Sequence, residues 1–199
     1  MKKYIAIFII SLVPFFAGAQ GENSVGETVF MVNYLPSLSL GETADFTSGF
    51  SPRGIDFEAN KFITEDLSVG FNVSWNVFRE KISGETFEYE DLTITGTQFR
   101  YVNTTPLDVN VKKYFVMEGA APYVGVGLGT MYAKQTNEIG VFSLNEDKWL
   151  FHVAPEVGII YDASRNNVLS FKVKYNYGPK AGDFPSVSYL SFGLGIGLK

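Results

Sequence analysis

The sequence predicts an all-β fold, an eight-stranded antiparallel up-and-down transmembrane β-barrel. Three observations predict it. In the last stretch, 188–199, Leu190, Phe192, Leu194, Ile196 and Leu198 alternate with Ser191, Gly193, Gly195 and Gly197. Successive strand residues point to opposite faces, so one face is apolar and the other almost bare, with no charge. That pattern suits lipid outside and a crowded lumen inside better than a soluble sheet. Second, seven further stretches alternate in the same way. Third, the connections between them run long, short, long, short, long, short, long, the sorting of extracellular loops and periplasmic turns.

Composition narrows the classes. The chain of 199 residues is long enough for one domain and has no cysteine, which excludes a disulfide framework, thiol catalysis and a lipoprotein anchor. A formal charge of −5 argues against a nucleic-acid partner gripped through its phosphates. The 18 Phe, 11 Tyr and 20 Gly suit strands and turns rather than a helical bundle.

Residues 1–19 read as a cleaved signal peptide. Lys2 and Lys3 precede an apolar run, Tyr4 to Phe16, and Ala17-Gly18-Ala19 offers a cleavage site. The run is shorter than the roughly 20 residues a spanning helix needs. Residues 20–199 would then form the barrel, with 14 basic and 21 acidic side chains and a net charge of −7. No later run approaches a membrane helix, so a membrane location requires a closed barrel.

Residues 20–28 are a polar lead-in to a first strand over about 29–40, with Phe30, Val32, Tyr34, Leu38 and Leu40 on one face. After a loop at 41–53, the second strand, 54–63, sets Ile55, Phe57, Ala59 and Ile63 against Asp56, Glu58 and Asn60. A turn at 64–66 leads to the third, 67–79, where Leu67 to Val77 alternate with Ser68, Gly70, Asn72, Ser74 and Asn76. The charged stretch 80–92 reads as a long loop standing as a hairpin extension. The fourth strand, 93–116, turns Gln98, Arg100, Asp108, Asn110 and Lys112 one way and Phe99, Tyr101, Leu107, Val109, Val111 and Phe115 the other. The fifth, 122–133, carries Gly125, Gly127 and Gly129, and 134–147 reads as a third long loop. The sixth, 148–162, places His152, Ala154, Glu156 and Gly158 inward. A turn at 163–166 precedes the seventh, 167–177, with Ser170, Lys172, Lys174 and Asn176 inward, and 178–186 is the fourth long loop.

The inward set Asp56, Glu58, Arg100, Asp108, Lys112, Glu156, Lys172 and Lys174 mixes both signs. An eight-stranded barrel is just wide enough for side chains to fill, so a salt-bridged plug is expected rather than an ion path. Lys61, Arg79 and Lys113 are outward exceptions near expected strand ends, where long side chains reach headgroups. Tyr34, Trp75, Trp149, Tyr161, Tyr175 and Tyr177 are candidates for interfacial girdles. Pro36, Pro106 and Pro155 fall inside strands, which predicts bulges or ladder breaks. Phe62, Phe78, Leu150 and Ile160 break the polar inward pattern near strand ends.

With these features the chain resembles the small eight-stranded outer-membrane β-barrel proteins of Gram-negative bacteria, the OmpA/OmpX/OmpW-like group. The signal segment, the Pro122-to-Gly129 strand and the last strand carry the resemblance. In that group the last strand bears an assembly signal, and Ser191, Gly193, Ile196 and Leu198 match it, while the usual terminal aromatic is replaced by Leu198-Lys199. The resemblance implies an integral outer-membrane location. It implies as partners outer-membrane lipid and lipopolysaccharide, the barrel assembly machinery and another envelope protein, with no nucleic acid.

The sequence offers no catalytic, cofactor-binding or metal site. His152, the only histidine, shares a face with Glu156 four residues on, about 13–14 Å away along a strand, so its partner must come from a neighbouring strand. A catalytic set is recognised by geometry, and no G-x-S-x-G element is present. Gly125-x-Gly127-x-Gly129 lacks phosphate-loop spacing and reads as lumen packing. The acidic stretch 85–91 lacks EF-hand alternation and reads as a solvated hairpin. The expectation is a non-enzymatic barrel acting through its loops and wall. A narrow OmpW-like channel for small or apolar solutes and a lipid-modifying enzyme are the alternatives.

Overall fold

The period-2 pattern folds as read, with more strand than expected. The computed structural model describes residues 25–89, 92–115, 119–140 and 142–199, with side chains except at 84–89, 92–96 and 142. The elements are β1 (Thr28–Tyr34), β2 (Ser37–Leu40), α1 (Gly41–Phe46), β3 (Phe50–Ser51), β4 (Gly54–Phe62), β5 (Leu67–Tyr89), β6 (Leu92–Tyr114), β7 (Ala120–Ile139), β8 (Phe142–Asp162), β9 (Asn167–Gly178) and β10 (Val187–Leu198). The signal-peptide expectation for 1–19 and the cleavage point fall outside the described residues.

Every ladder is antiparallel, and β1 hydrogen-bonds to both β4 and β10. The sheet therefore closes on itself, which removes the edges of its main body. β1 with β2, and β3 with β4, each form one interrupted stave, so the ten strands make the eight expected staves.

The prolines act as ladder interruptions. At Pro36 the register with β10 is unchanged (Tyr34 opposite Leu194, Ser37 opposite Ser191). The gap is spanned by Leu35 N–H donating to Gly54 O (3.0 Å) and Phe192 N–H donating to Pro36 O (2.8 Å). On the other side, Leu35-Pro36 face the three residues Pro52-Arg53-Gly54, a bulge on the second stave. Around Pro106, pairing of β5 with β6 stops at Val73–Leu107 and resumes at Asn76–Thr104 in the same register. Around Pro155, pairing of β8 with β9 skips from Val153–Tyr177 to Glu156–Lys174. Around Pro106 and Pro155 a missing N–H thus removes bonds without shifting side chains to the other face.

Two of the four expected long loops, 41–53 and 134–147, are more ordered than the sequence suggests. Residues 41–53 hold α1 and β3. The stretch 80–92 is the hairpin extension anticipated, with β5 and β6 paired out to Tyr89 opposite Leu92. The stretch 134–147 is paired strand rather than loop, with Lys134 opposite Asp147 and Ile139 opposite Phe142. Arg79 accordingly lies within β5, not at a strand end. Above the barrel wall the polar residues keep their backbone ladders although no lipid face demands an apolar stripe.

Outward side chains form the apolar band: Phe30, Phe57, Phe71, Val109, Leu128, Phe151, Leu194 and Ile196 are exposed. Of the girdle candidates, Trp75, Trp149, Tyr34, Tyr175 and Tyr177 are exposed on the same wall and Tyr161 is partly buried. Inward, two apolar layers close the lumen. One holds Phe78, Val102, Met131, Leu150, Phe184 and Tyr189 on the long-loop side. The other holds Met31, Phe62, Tyr114, Tyr123, Ile160 and Val168 on the short-turn side.

Candidate functional site: the filled lumen

Between the two apolar layers lies the polar set expected from the alternation. Asp56, Glu58, Asp108, Lys112, His152, Glu156, Lys172 and Lys174 are all buried. Lys172 Nζ contacts both Asp56 and Glu58. Lys112 Nζ bridges Glu58 Oε2 at 2.6 Å and Glu156 Oε1 at 2.7 Å. Lys174 Nζ donates to Asn72 Oδ1 at 3.0 Å and lies 3.6 Å from Asp56 Oδ1. Asn33 Nδ2 donates to Asp56 Oδ2 at 2.8 Å, and Ser170 Oγ donates to Asn33 Oδ1 at 2.7 Å.

Four carboxylates and three ammonium groups thus share one buried space. Desolvating any of these charges alone costs several kcal/mol, so each must be held by partners. Arg100 is the exception to the expected set. It is only partly buried, and its guanidinium lies 5.4 Å from the centroid of the Phe46 ring of α1, so it belongs to the upper closure.

The glycines explain how strands that are not neighbours meet. Gly129 of β7 lies between Asp108 of β6 and His152 of β8 in register. With no side chain between them, His152 Nδ1 donates to Asp108 Oδ1 at 2.7 Å. Gly125 separates Lys112 from Glu156 in the same way, and a Cβ there would lie 3.0 Å from Lys112 Cγ. On β10, a Cβ on Gly195 would lie 2.6 Å from Ser170 Oγ and 2.7 Å from Asn33 Cγ. The glycine stripes are therefore spacers for contacts across a strand, as the lumen-packing expectation held.

His152 finds its partner on another strand, but two staves away rather than on the next one. The lumen space beside it, bordered by Glu58, Asn72, Asp108 and Glu156, is about 10 Å³. A single water needs about 10–15 Å³, so this space admits no substrate. A concavity of about 760 Å³ lies outside the wall among Phe30, Phe57, Phe71, Leu169 and Ile196, where it faces lipid. The paired backbone of 85–89 fits the hairpin expectation for 85–91, whose side chains lie outside the described residues.

A closed antiparallel barrel with an apolar belt and a polar interior is an outer-membrane-type β-barrel. Solved structures bear this out at the level of fold. Ail, the attachment invasion locus protein of Yersinia pestis, in complex with the heparin analogue sucrose octasulfate, matches with a TM-score of 0.53 and 16% identity over 88% of this chain and 99% of that one. Neisserial surface protein A matches with a TM-score of 0.53 and 16% identity over 86% and 95%. The outer membrane protein OprG of Pseudomonas aeruginosa matches with a TM-score of 0.51 and 13% identity over 89% and 98%. These neighbours are integral outer-membrane barrels of Gram-negative bacteria, and the chain shares their architecture. No protein-family model and no curated protein matches the sequence.

Proposed function

We propose that this protein is a non-enzymatic outer-membrane barrel that presents a raised sheet to an external partner and conducts nothing through its lumen. The observation that carries this reading is the triple closure of the interior: apolar layer, ion-paired middle and apolar layer. The part left to act is the outside. β5, β6, β7 and β8 continue above the wall as a four-stranded sheet. Among the described residues, β5 beyond Val77 has no ladder partner on the β4 side, and β8 from Phe142 to His152 has none on the β9 side. Such edges offer unpaired N–H and C=O groups to an added strand.

The same reading gives β10 a role at insertion. Ser191 and Gly193 face the lumen, while Ile196 and Leu198 are 67% and 59% exposed on the wall, so the two halves of the assembly-signal pattern are presented on opposite faces. Liposome swelling tests the closure. Vesicles carrying the refolded protein should admit small sugars and amino acids no faster than protein-free vesicles, and rapid swelling would refute the filled-lumen reading in favour of a narrow channel.

A further inference from the structure

We propose that Arg100, with Gln135 beside it on the inner face of the raised sheet, forms a receptor for one carboxylate group, supplied from outside by a small organic acid or by an acidic side chain of a partner. The receptor lies on the face between the two strand edges and holds whether or not those edges take an added strand. The first observation is an unanswered cation. Arg100 is partly exposed, while its Nε is buried and has no acceptor. Among the described residues its guanidinium forms no ion pair and no hydrogen bond, and it lies over the Phe46 ring, 5.4 Å from the centroid. A ring face steadies a cation without consuming its N–H donors. A buried N–H with no partner costs free energy, so a ligand that answers it gains what the fold leaves unmet.

The second observation is where the facing carboxylate has gone. Glu80 stands directly opposite Arg100 in the β5–β6 register. Its carboxylate instead accepts from Ser48 N–H at 3.0 Å and from Ser48 Oγ at 2.7 Å, which ties the α1–β3 connection to β5. Asp45, next to Phe46 on α1, and Glu146, opposite Gln135 on β8, are exposed and also lie beyond ion-pair distance of Arg100.

The third observation is a second donor. On β7, Asn137 faces Arg100 and Gln135 lies one inward position lower. Gln135 is 8% exposed, and its Nε2 is buried without an acceptor. Diagonal neighbours on one face of an antiparallel pair are about 7–8 Å apart, within reach of long side chains. Asn137 Oδ1 is already taken by Gln98 Nε2 at 2.5 Å. Two donors without acceptors, one of them charged, therefore share one patch of the sheet. A carboxylate suits them, because its two coplanar oxygens match the guanidinium fork and have lone pairs left for an amide. A doubly charged phosphate or sulfate would leave excess negative charge among Asp45, Glu80 and Glu146. Phe78, Val102, Met131 and Tyr189 close the floor below, so the acid is held at the mouth and goes no further.

The test follows the side-chain N–H signals of Arg100 and Gln135 by nuclear magnetic resonance, in the full protein refolded into detergent micelles. Titration with acetate, against chloride at equal ionic strength, should shift both signals saturably. A blocked peptide with one glutamate, against its glutamine version, separates the sources. Saturation by the peptide marks a receptor for a partner's side chain, and saturation by acetate alone marks a small-acid site. R100Q should weaken acetate binding about 30-fold. Q135E, which sets a carboxylate of the chain's own beside Arg100, should shift the Arg100 signal in advance and block acetate. It keeps Arg100 and so covers the case in which R100Q folds poorly. Equal shifts with chloride, no saturation by either acid, or undiminished acetate binding by Q135E would overturn the site. Acetate binding seen only in E80Q would show that Glu80 already occupies Arg100 and would also overturn it.

Discussion

At the residue scale, the structure turns on buried charges and the glycines that let them meet. Lys172 serves Asp56 and Glu58 together. Replacing it with Met should leave two carboxylates short of a partner and cost about 3–5 kcal/mol, read as a lower urea midpoint in lipid vesicles. Gly129→Val tests the spacer role, because even a Cβ there would lie 2.8 Å from Asp108 Oδ1. Overpacking of this kind costs about 1–3 kcal/mol, and the nuclear magnetic resonance signal of the His152 ring should report loss of its bond to Asp108. Outside the membrane, Ser186 donates to Glu42 Oε2 from its hydroxyl and its amide, both at 2.6 Å, and holds the carboxyl below its ordinary pKa. A depressed folded-state pKa means this tether of α1 is complete above the ordinary carboxylate value and is lost as pH falls through the lowered one. The Ser186 amide shift should follow that acid titration, and a shift that moves only above neutral pH would refute it.

At the element scale, the eight staves were legible because lipid outside and packing inside impose strict alternation on each. β10 and the lower half of β5 are the clearest cases. What was hidden lies where that pressure stops. Residues 134–147 lose the apolar stripe above the membrane, so the sequence looks like loop while the backbone remains paired. The two apolar layers were hidden for another reason. Phe62, Phe78, Leu150 and Ile160 are isolated exceptions on separate strands, and only the register brings them to common levels. The Asp108–His152 pair needed the same information, and its one sequence signal is the glycine at 129 facing both. The proline gap should be visible in hydrogen exchange: the amide of Ser74, whose opposite residue Pro106 has no N–H to complete the pair, should exchange faster than that of Asn72, which faces β6 within the intact ladder. Uniform protection along β5 would show that the gap is bridged.

At the scale of the whole molecule, the barrel is a solid stave assembly carrying an asymmetric raised sheet. Ion pairs occupy its middle, aromatic clusters such as Phe62–Tyr114 and Tyr114–Tyr123, with centroids 5.0 and 5.2 Å apart, close one end, and Phe78 against Tyr189 closes the other. Under the proposed function, recognition of a partner falls to the outer surface, where the β5–β8 extension stands. The measurement that bears most directly on this account is single-channel recording of the refolded protein in a planar bilayer. The account predicts a silent trace at moderate voltage. Discrete, reproducible openings would contradict it.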